Sequence, residues 1–113
     1  MTILFICTAN KDRSRTAEIY FQNKYPEHRF RSAGINKYLS ERHGGAHIKQ
    51  YMLDVADRII CMENEQRDWI INNFDKKYLP KIEILHLGDT ETFMSESLIK
   101  LLEDKFKLKI NLI

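Results

Sequence analysis

The sequence predicts an α/β fold built on a four-stranded parallel sheet, and three observations predict it. Ile3 to Ile6, Phe30 to Ala33, Arg58 to Met62 and Ile82 to Leu87 are short runs rich in β-branched and aromatic residues. They show little polar alternation, as expected of strands buried on both faces. The stretches between them carry apolar residues at helical spacing, and strands alternating with helices imply parallel pairing through right-handed crossovers. Polar or glycine-containing turns follow the first, third and fourth runs: Cys7 to Ser14, Glu63 to Glu65, and Gly88 to Thr92. In such a sheet these three turns share the edge where ligands sit.

The elements follow in order. After the first strand, a helix starts near Ser14, with Ala17, Ile19, Tyr20 and Phe21 as its apolar face, and Pro26 ends it. Phe30 to Ala33 is a brief strand closed by Gly34. Asn36 to Gly45 reads as irregular, broken at Gly44-Gly45. From Ala46, the spacing of Ile48, Met52 and Val55 predicts a helix; Glu65 to Phe74 predicts another, with Trp69, Ile70 and Phe74 on one side. Tyr78-Leu79-Pro80 reads as a loop. Ser95 to Phe106 is the last helix, carrying Leu98, Ile99, Leu101 and Leu102. The tail Leu108 to Ile113 fits an edge strand or a packed extension equally. The arrangement is a flavodoxin-like, three-layer domain spanning residues 1–113.

At 113 residues, 43% hydrophobic and 30% charged, the chain has the composition of one globular domain. A net charge of +2, from 18 basic and 16 acidic residues, gives no signal for nucleic acid or membrane binding. Lys11, Arg13, Arg15, Arg29 and Arg31 crowd locally, which fits a solvated face or anion attraction. Ile3 to Ile6 is too short for a secretory signal and nothing basic precedes it. Cys7 and Cys61 make no disulfide framework and no zinc spacing. A reducing cytoplasm, free thiols, and no metal or cofactor are the expectation.

Cys7-Thr-Ala-Asn-Lys-Asp-Arg13-Ser14 spans a strand end and a helix start. A loop of this length can curl so that its backbone N–H groups point inward. With the helix N-terminus they would cradle a dianion, which makes Thr8, Ala9, Asn10, Lys11, Asp12, Arg13 and Ser14 the candidate phosphate-binding residues. Arg13 adds a planar fork matched to two phosphate oxygens. The same donors favour the thiolate of Cys7, placed for in-line attack and a phosphocysteine intermediate. Cysteine is also often an ordinary buried residue, and the spacing recurs at Cys61-Met-Glu-Asn-Glu-Gln-Arg67. That second loop holds Glu63 and Glu65, which would repel phosphate, and Asp68 follows its arginine. Cys61 is therefore read as a core strand residue. Asp89, just past the fourth strand on the ligand edge, is the candidate general acid, with Glu91 in reserve; its alternative is a turn residue after Gly88.

The opening segment, Ile3-Leu-Phe-Ile-Cys-Thr-Ala-Asn-Lys-Asp-Arg-Ser14 with Thr16-Ala17-Glu18, resembles that of the low-molecular-weight protein tyrosine phosphatases. Ser32-Ala33-Gly34 and Ala56-Asp57-Arg58-Ile59-Ile60-Cys61-Met62 resemble later family segments. Gly88-Asp89-Thr90-Glu91-Thr92-Phe93-Met94 resembles the acid loop of a shorter bacterial branch. The resemblance implies that Cys7 is the nucleophile and Arg13 the transition-state clamp. It also implies that Asn10 holds the loop, Ser14 donates to the thiolate, and Asp89 serves as acid and then base. Asp12 stands where the family commonly has a second cysteine, so no local disulfide can protect the nucleophile. An outward Asp12 would leave the cradle intact, and an inward one would weaken anion binding. Arg15 and Thr90 replace prolines, and the chain is shorter between Gly34 and Ala46, where the substrate wall normally forms. Tyr38 and Phe93 are aromatic candidates for that wall.

The expected function is metal-independent phosphomonoester hydrolysis, of phosphotyrosine in a protein or of a small phosphomonoester. Three rivals are an arsenate reductase on the same fold, a non-catalytic phosphate-binding module, and a phosphocysteine carrier of a sugar-transport system.

Overall fold

Strand β1 spans Thr2–Cys7, β2 Arg29–Gly34, β3 Arg58–Cys61 and β4 Ile82–Ile84. They form one sheet in the order β2-β1-β3-β4, and every pairing is parallel. The computed structural model describes residues 1–108. Of the tail, Leu108 is partly buried against the core, and the expectation for 109–113 lies outside the described residues.

The uniformly apolar β1 takes an inner position in the sheet, as its sequence requires: Ile3, Phe5 and Ile6 are 0% exposed. Its side chains alternate between two cores. Ile3, Phe5 and Cys7 enter one, with Ala17 and Phe21 of α1 (Arg13–Lys24) and Leu98 and Leu102 of α5 (Glu96–Lys105). Leu4 and Ile6 enter the other, with Leu53 of α3 (Gln50–Val55) and Ile70 of α4 (Asn64–Asn73). Each such side chain contributes roughly 1.5–3 kcal/mol by burial. Phe21 adds ring contacts, its centroid lying 5.8 Å from that of Phe5 and 4.8 Å from that of Phe106. None of the described helices is long and apolar enough to cross a membrane.

Four elements differ from the sequence reading. Asn36 to Gly45 is not wholly irregular: α2 occupies Lys37–Arg42, capped by Asn36, whose side chain accepts from the Leu39 N–H at 2.9 Å. Its one buried residue is Ser40, so no apolar stripe announces it. The helix expected from Ala46 starts only at Gln50, because Ala46 to Ile48 runs beside Gly34 instead. There the Gly34 N–H donates to Ala46 O at 2.8 Å and the Ile48 N–H to Gly34 O at 3.0 Å. Lys76–Lys81 is a 3-10 helix rather than a loop, capped by the Asp75 carboxylate. Strand β4 stops at Ile84 rather than Leu87. His86 adopts φ +55°, yet the N–H groups of Leu85 and Leu87 still donate to Cys61 O and Met62 O at 2.9 Å each.

Candidate active site

Cys7 ends β1 and is 2% exposed, with its sulfur in the mouth of the loop that leads into α1. The sulfur meets two groups: the Asn10 N–H donates to it at 3.2 Å, and Ser14 Oγ lies 2.9 Å away in a bond that either atom can donate. The Asn10 side chain is held from both ends. Its Oδ1 accepts from the Ala46 N–H at 2.8 Å. Its Nδ2 must then donate, at 2.7 Å to Ser14 Oγ and at 2.9 Å to Ser32 Oγ. The Ser32 hydroxyl in turn donates to Glu18 Oε1, while Ser14 keeps a proton and a second lone pair for its bond with the Cys7 sulfur. A thiolate at Cys7 would accept from both the Asn10 N–H and Ser14.

Asn10 takes φ +49° to turn the loop back on itself, a conformation asparagine tolerates better than most residues. The loop is braced from behind. The Ile35 and Asn36 N–H groups donate to the carbonyls of Cys7 at 3.1 Å and Thr8 at 2.9 Å. A Cβ on Gly45 would lie 2.6 Å from Asn10 O, and one on Gly34 would lie 2.7 Å from Thr8 O. Both glycines are therefore required by close approach. Gln66 Nε2 donates to Thr8 Oγ1 at 3.1 Å, tying in the first turn of α4.

Arg13 is 3% exposed. Its Nη1 donates to Leu87 O at 2.9 Å and to the Glu63 carboxylate. Its remaining edge makes no hydrogen bond among the described residues, and Asp89 Oδ1 stands 3.8 Å from Nε. Asp89 itself is 66% exposed at the side chain. Glu91, the reserve acid, turns away and accepts from the Ser97 hydroxyl at 2.6 Å. Thr8 and Ala9 are half-buried and Lys11 is exposed. Asp12 points outward, its Oδ1 accepting from the Phe93 N–H at 2.9 Å. Tyr38 is exposed on α2, and Phe93 lies beside the Arg15 guanidinium, 5.9 Å from its ring centroid.

Sequence reasoning missed Glu63. It read this residue as a repulsive element of the second cysteine loop, whereas its carboxylate pairs with Arg13 of the first. Glu63 is also the N-cap of α4 in a capping box with Gln66. Its position on the ligand edge was the available signal. Cys61 enters the core opposite that of Cys7 and is fully buried, and burial pushes its thiol up to about 12. A cavity of about 720 Å³ runs beside β2 past Arg29, Arg31 and Tyr51, and Cys7 is not among its lining residues.

No protein-family model and no curated protein matches the chain. Solved structures do. The arginine phosphatase YwlE from Geobacillus stearothermophilus superposes with a TM-score of 0.66 at 23% identity, over 92% of this chain and 91% of that one. The tyrosine phosphatase Wzb from Escherichia coli K30, in complex with phosphate, gives 0.72 at 21% identity, over 92% and 91%. A low molecular weight protein tyrosine phosphatase from Bacillus subtilis gives 0.63 at 24% identity, over 75% and 70%. The sheet and its helices thus have the fold of the low-molecular-weight protein tyrosine phosphatases, the fold that the opening motif implied.

Proposed function

We propose that this chain is a metal-independent phosphomonoester hydrolase of the protein tyrosine phosphatase kind, acting in the cytoplasm through a phosphocysteine intermediate. One observation carries the reading: the Cys7 sulfur, hydrogen-bonded to the Asn10 N–H and to Ser14, sits at the mouth of a loop whose arginine keeps one edge unbonded. A phosphoryl group seated there meets the loop amides from Thr8 to Ser14 and the Arg13 fork. The Cys7 thiolate attacks phosphorus, an S–P bond forms, and the ester P–O bond breaks. Asp89 gives its proton to the leaving oxygen. The resulting carboxylate then takes a proton from water as that water attacks phosphorus, releasing inorganic phosphate and the thiolate. Arg13 and the amides supply the positive charge that the equatorial oxygens need.

The rivals fare less well. A redox relay of the arsenate reductase type needs a second reachable thiol, and Cys61 faces the opposite core. A carrier or passive binding module has no use for a carboxylate 3.8 Å from the clamp. The neighbours differ in substrate, one named an arginine phosphatase and others tyrosine phosphatases. The test is therefore hydrolysis of nitrophenyl phosphate, a phosphotyrosine peptide and a phosphoarginine peptide, with and without a chelator. Turnover of the tyrosine peptide is expected, unaffected by chelation, lost in Cys7→Ser and strongly reduced in Arg13→Lys. Vanadate binding without turnover of any substrate would establish the binding module instead.

A further inference from the structure

Asp12 occupies the N-cap of α1, where an aspartate ordinarily accepts from its own helix's first N–H groups. It makes no such bond. Its carboxylate reaches across the chain instead, accepting from the Phe93 N–H at 2.9 Å. One helical turn on, Thr16 Oγ1 accepts from the Met94 N–H, also at 2.9 Å. Two consecutive N–H groups thus meet acceptors one turn apart on the same face of α1. The Arg15 guanidinium stands over the Phe93 ring, with its carbon 5.9 Å from the ring centroid.

These contacts fix the far end of the segment that carries Asp89. Its near end is fixed too, since Leu87 O accepts from Arg13 and the Leu87 N–H donates to Met62 O. Between the two anchors, Gly88, Asp89 and Thr90 are exposed, and a Cβ on Gly88 would meet nothing within 4 Å. Among the described residues these three make no hydrogen bond; Asp89 meets Arg13 at 3.8 Å, and Glu91 beyond them accepts from Ser97. We propose that Asp12 is a positioning residue: its carboxylate latches the 88–94 loop onto the start of α1 and so holds Asp89 at Arg13. This rests on the hydrolase reading of the site. It also gives the residue in the family's usual cysteine position a role of its own, because a carboxylate oxygen is a far stronger acceptor than a thiol sulfur.

The latch is an acceptor, so Asp12→Asn should keep it through the amide oxygen while Asp12→Ala removes it. Backbone amide exchange reads it directly, without turnover. The Phe93 amide should exchange about tenfold faster in Asp12→Ala and near the wild-type rate in Asp12→Asn. Thr16→Val, which keeps the shape, should speed Met94 and leave Phe93 largely protected. In turnover, Asp12→Ala should lower kcat on the phosphotyrosine peptide about tenfold, with less effect on nitrophenyl phosphate and little on KM; Asp12→Asn should restore most of it. Unchanged Phe93 exchange in Asp12→Ala, or an Asp12→Asn protein as impaired as Asp12→Ala, overturns the latch. A wild type that hydrolyses neither substrate overturns the hydrolase reading and the catalytic half of this proposal, while the exchange rates still decide whether the latch exists.

Discussion

At Cys7 the donors and acceptors form one connected cluster. Ala46 orients the Asn10 amide, Asn10 fills one acceptor site on Ser14, and Ser14 pairs with the sulfur. Hydrogen bonds to a charged group contribute roughly 1.5–3 kcal/mol, so the Ser14 bond alone is worth about a tenfold change in the reactivity it supports. Cys61 has no such company, and burial keeps its thiol protonated until about 12. Alkylation at neutral pH should therefore modify one cysteine in the folded protein, Cys7, and reach Cys61 only after denaturation. Ser14→Ala should slow the first reaction about tenfold. Mass spectrometry of the alkylated peptides decides it, and native labelling of Cys61 would show that the wrong loop had been read. The sequence revealed this cluster because Cys7, Asn10 and Ser14 lie within eight consecutive residues, where spacing alone dictates proximity. Ser32 of β2 and Ala46 complete it from elsewhere in the chain, and no local spacing encodes that.

Between elements, the start of α4 acts on the first loop at two points, its N-cap Glu63 on Arg13 and Gln66 of its first turn on Thr8. Glu63 takes Nη1, which leaves the other edge of the guanidinium to a ligand. Glu63→Ala should therefore lower turnover about tenfold by releasing Arg13, while the bond from the Glu63 N–H to Gln66 Oε1 that caps α4 survives the substitution. Glu63→Gln, which keeps an acceptor and removes a charge, should recover most of the turnover and tighten inhibition by phosphate. Steady-state kinetics with phosphate as inhibitor separates the two, and equal losses in both variants would make the charge rather than the bond essential. The strands were legible because buried parallel strands are apolar throughout. Helix α2 was not, for its six residues bury only Ser40, and a helix without an apolar stripe carries no period to find. The end of β4 was obscured by His86, an ordinary residue in a left-handed conformation that apolar patterning cannot foresee.

Across the whole molecule, the last helix is tied to the first by an exposed cluster in which the Glu103 carboxylate accepts from Lys24 Nζ at 2.6 Å and from the Tyr20 hydroxyl. Lys24, then Tyr20, holds the Glu103 carboxyl below its usual range, and Glu103 in turn holds Tyr20 and Lys24 above theirs. The lowered carboxyl contributes stability that is present above its unfolded value and lost as pH falls through the folded one. The raised phenol and ammonium contribute stability present below their unfolded values and lost as pH rises through the folded ones. Thermal stability should thus show a plateau around neutrality that declines below about pH 4 and above about pH 10. Glu103→Gln should flatten both shoulders and lower the neutral melting temperature only slightly, as exposed pairs do. Melting curves across pH test this, and an unchanged acid shoulder would remove Glu103 from the account.

The division of β1 between two cores has a further consequence. Cys7 and Cys61 sit on opposite sides of a sheet filled edge to edge with Ile, Leu and Phe side chains. A sulfenic acid formed at Cys7 would have no resolving partner inside the chain. Its lifetime would be set by whatever thiol diffuses to it, so the silenced fraction would follow the reductant supply of its surroundings rather than any clock built into the fold.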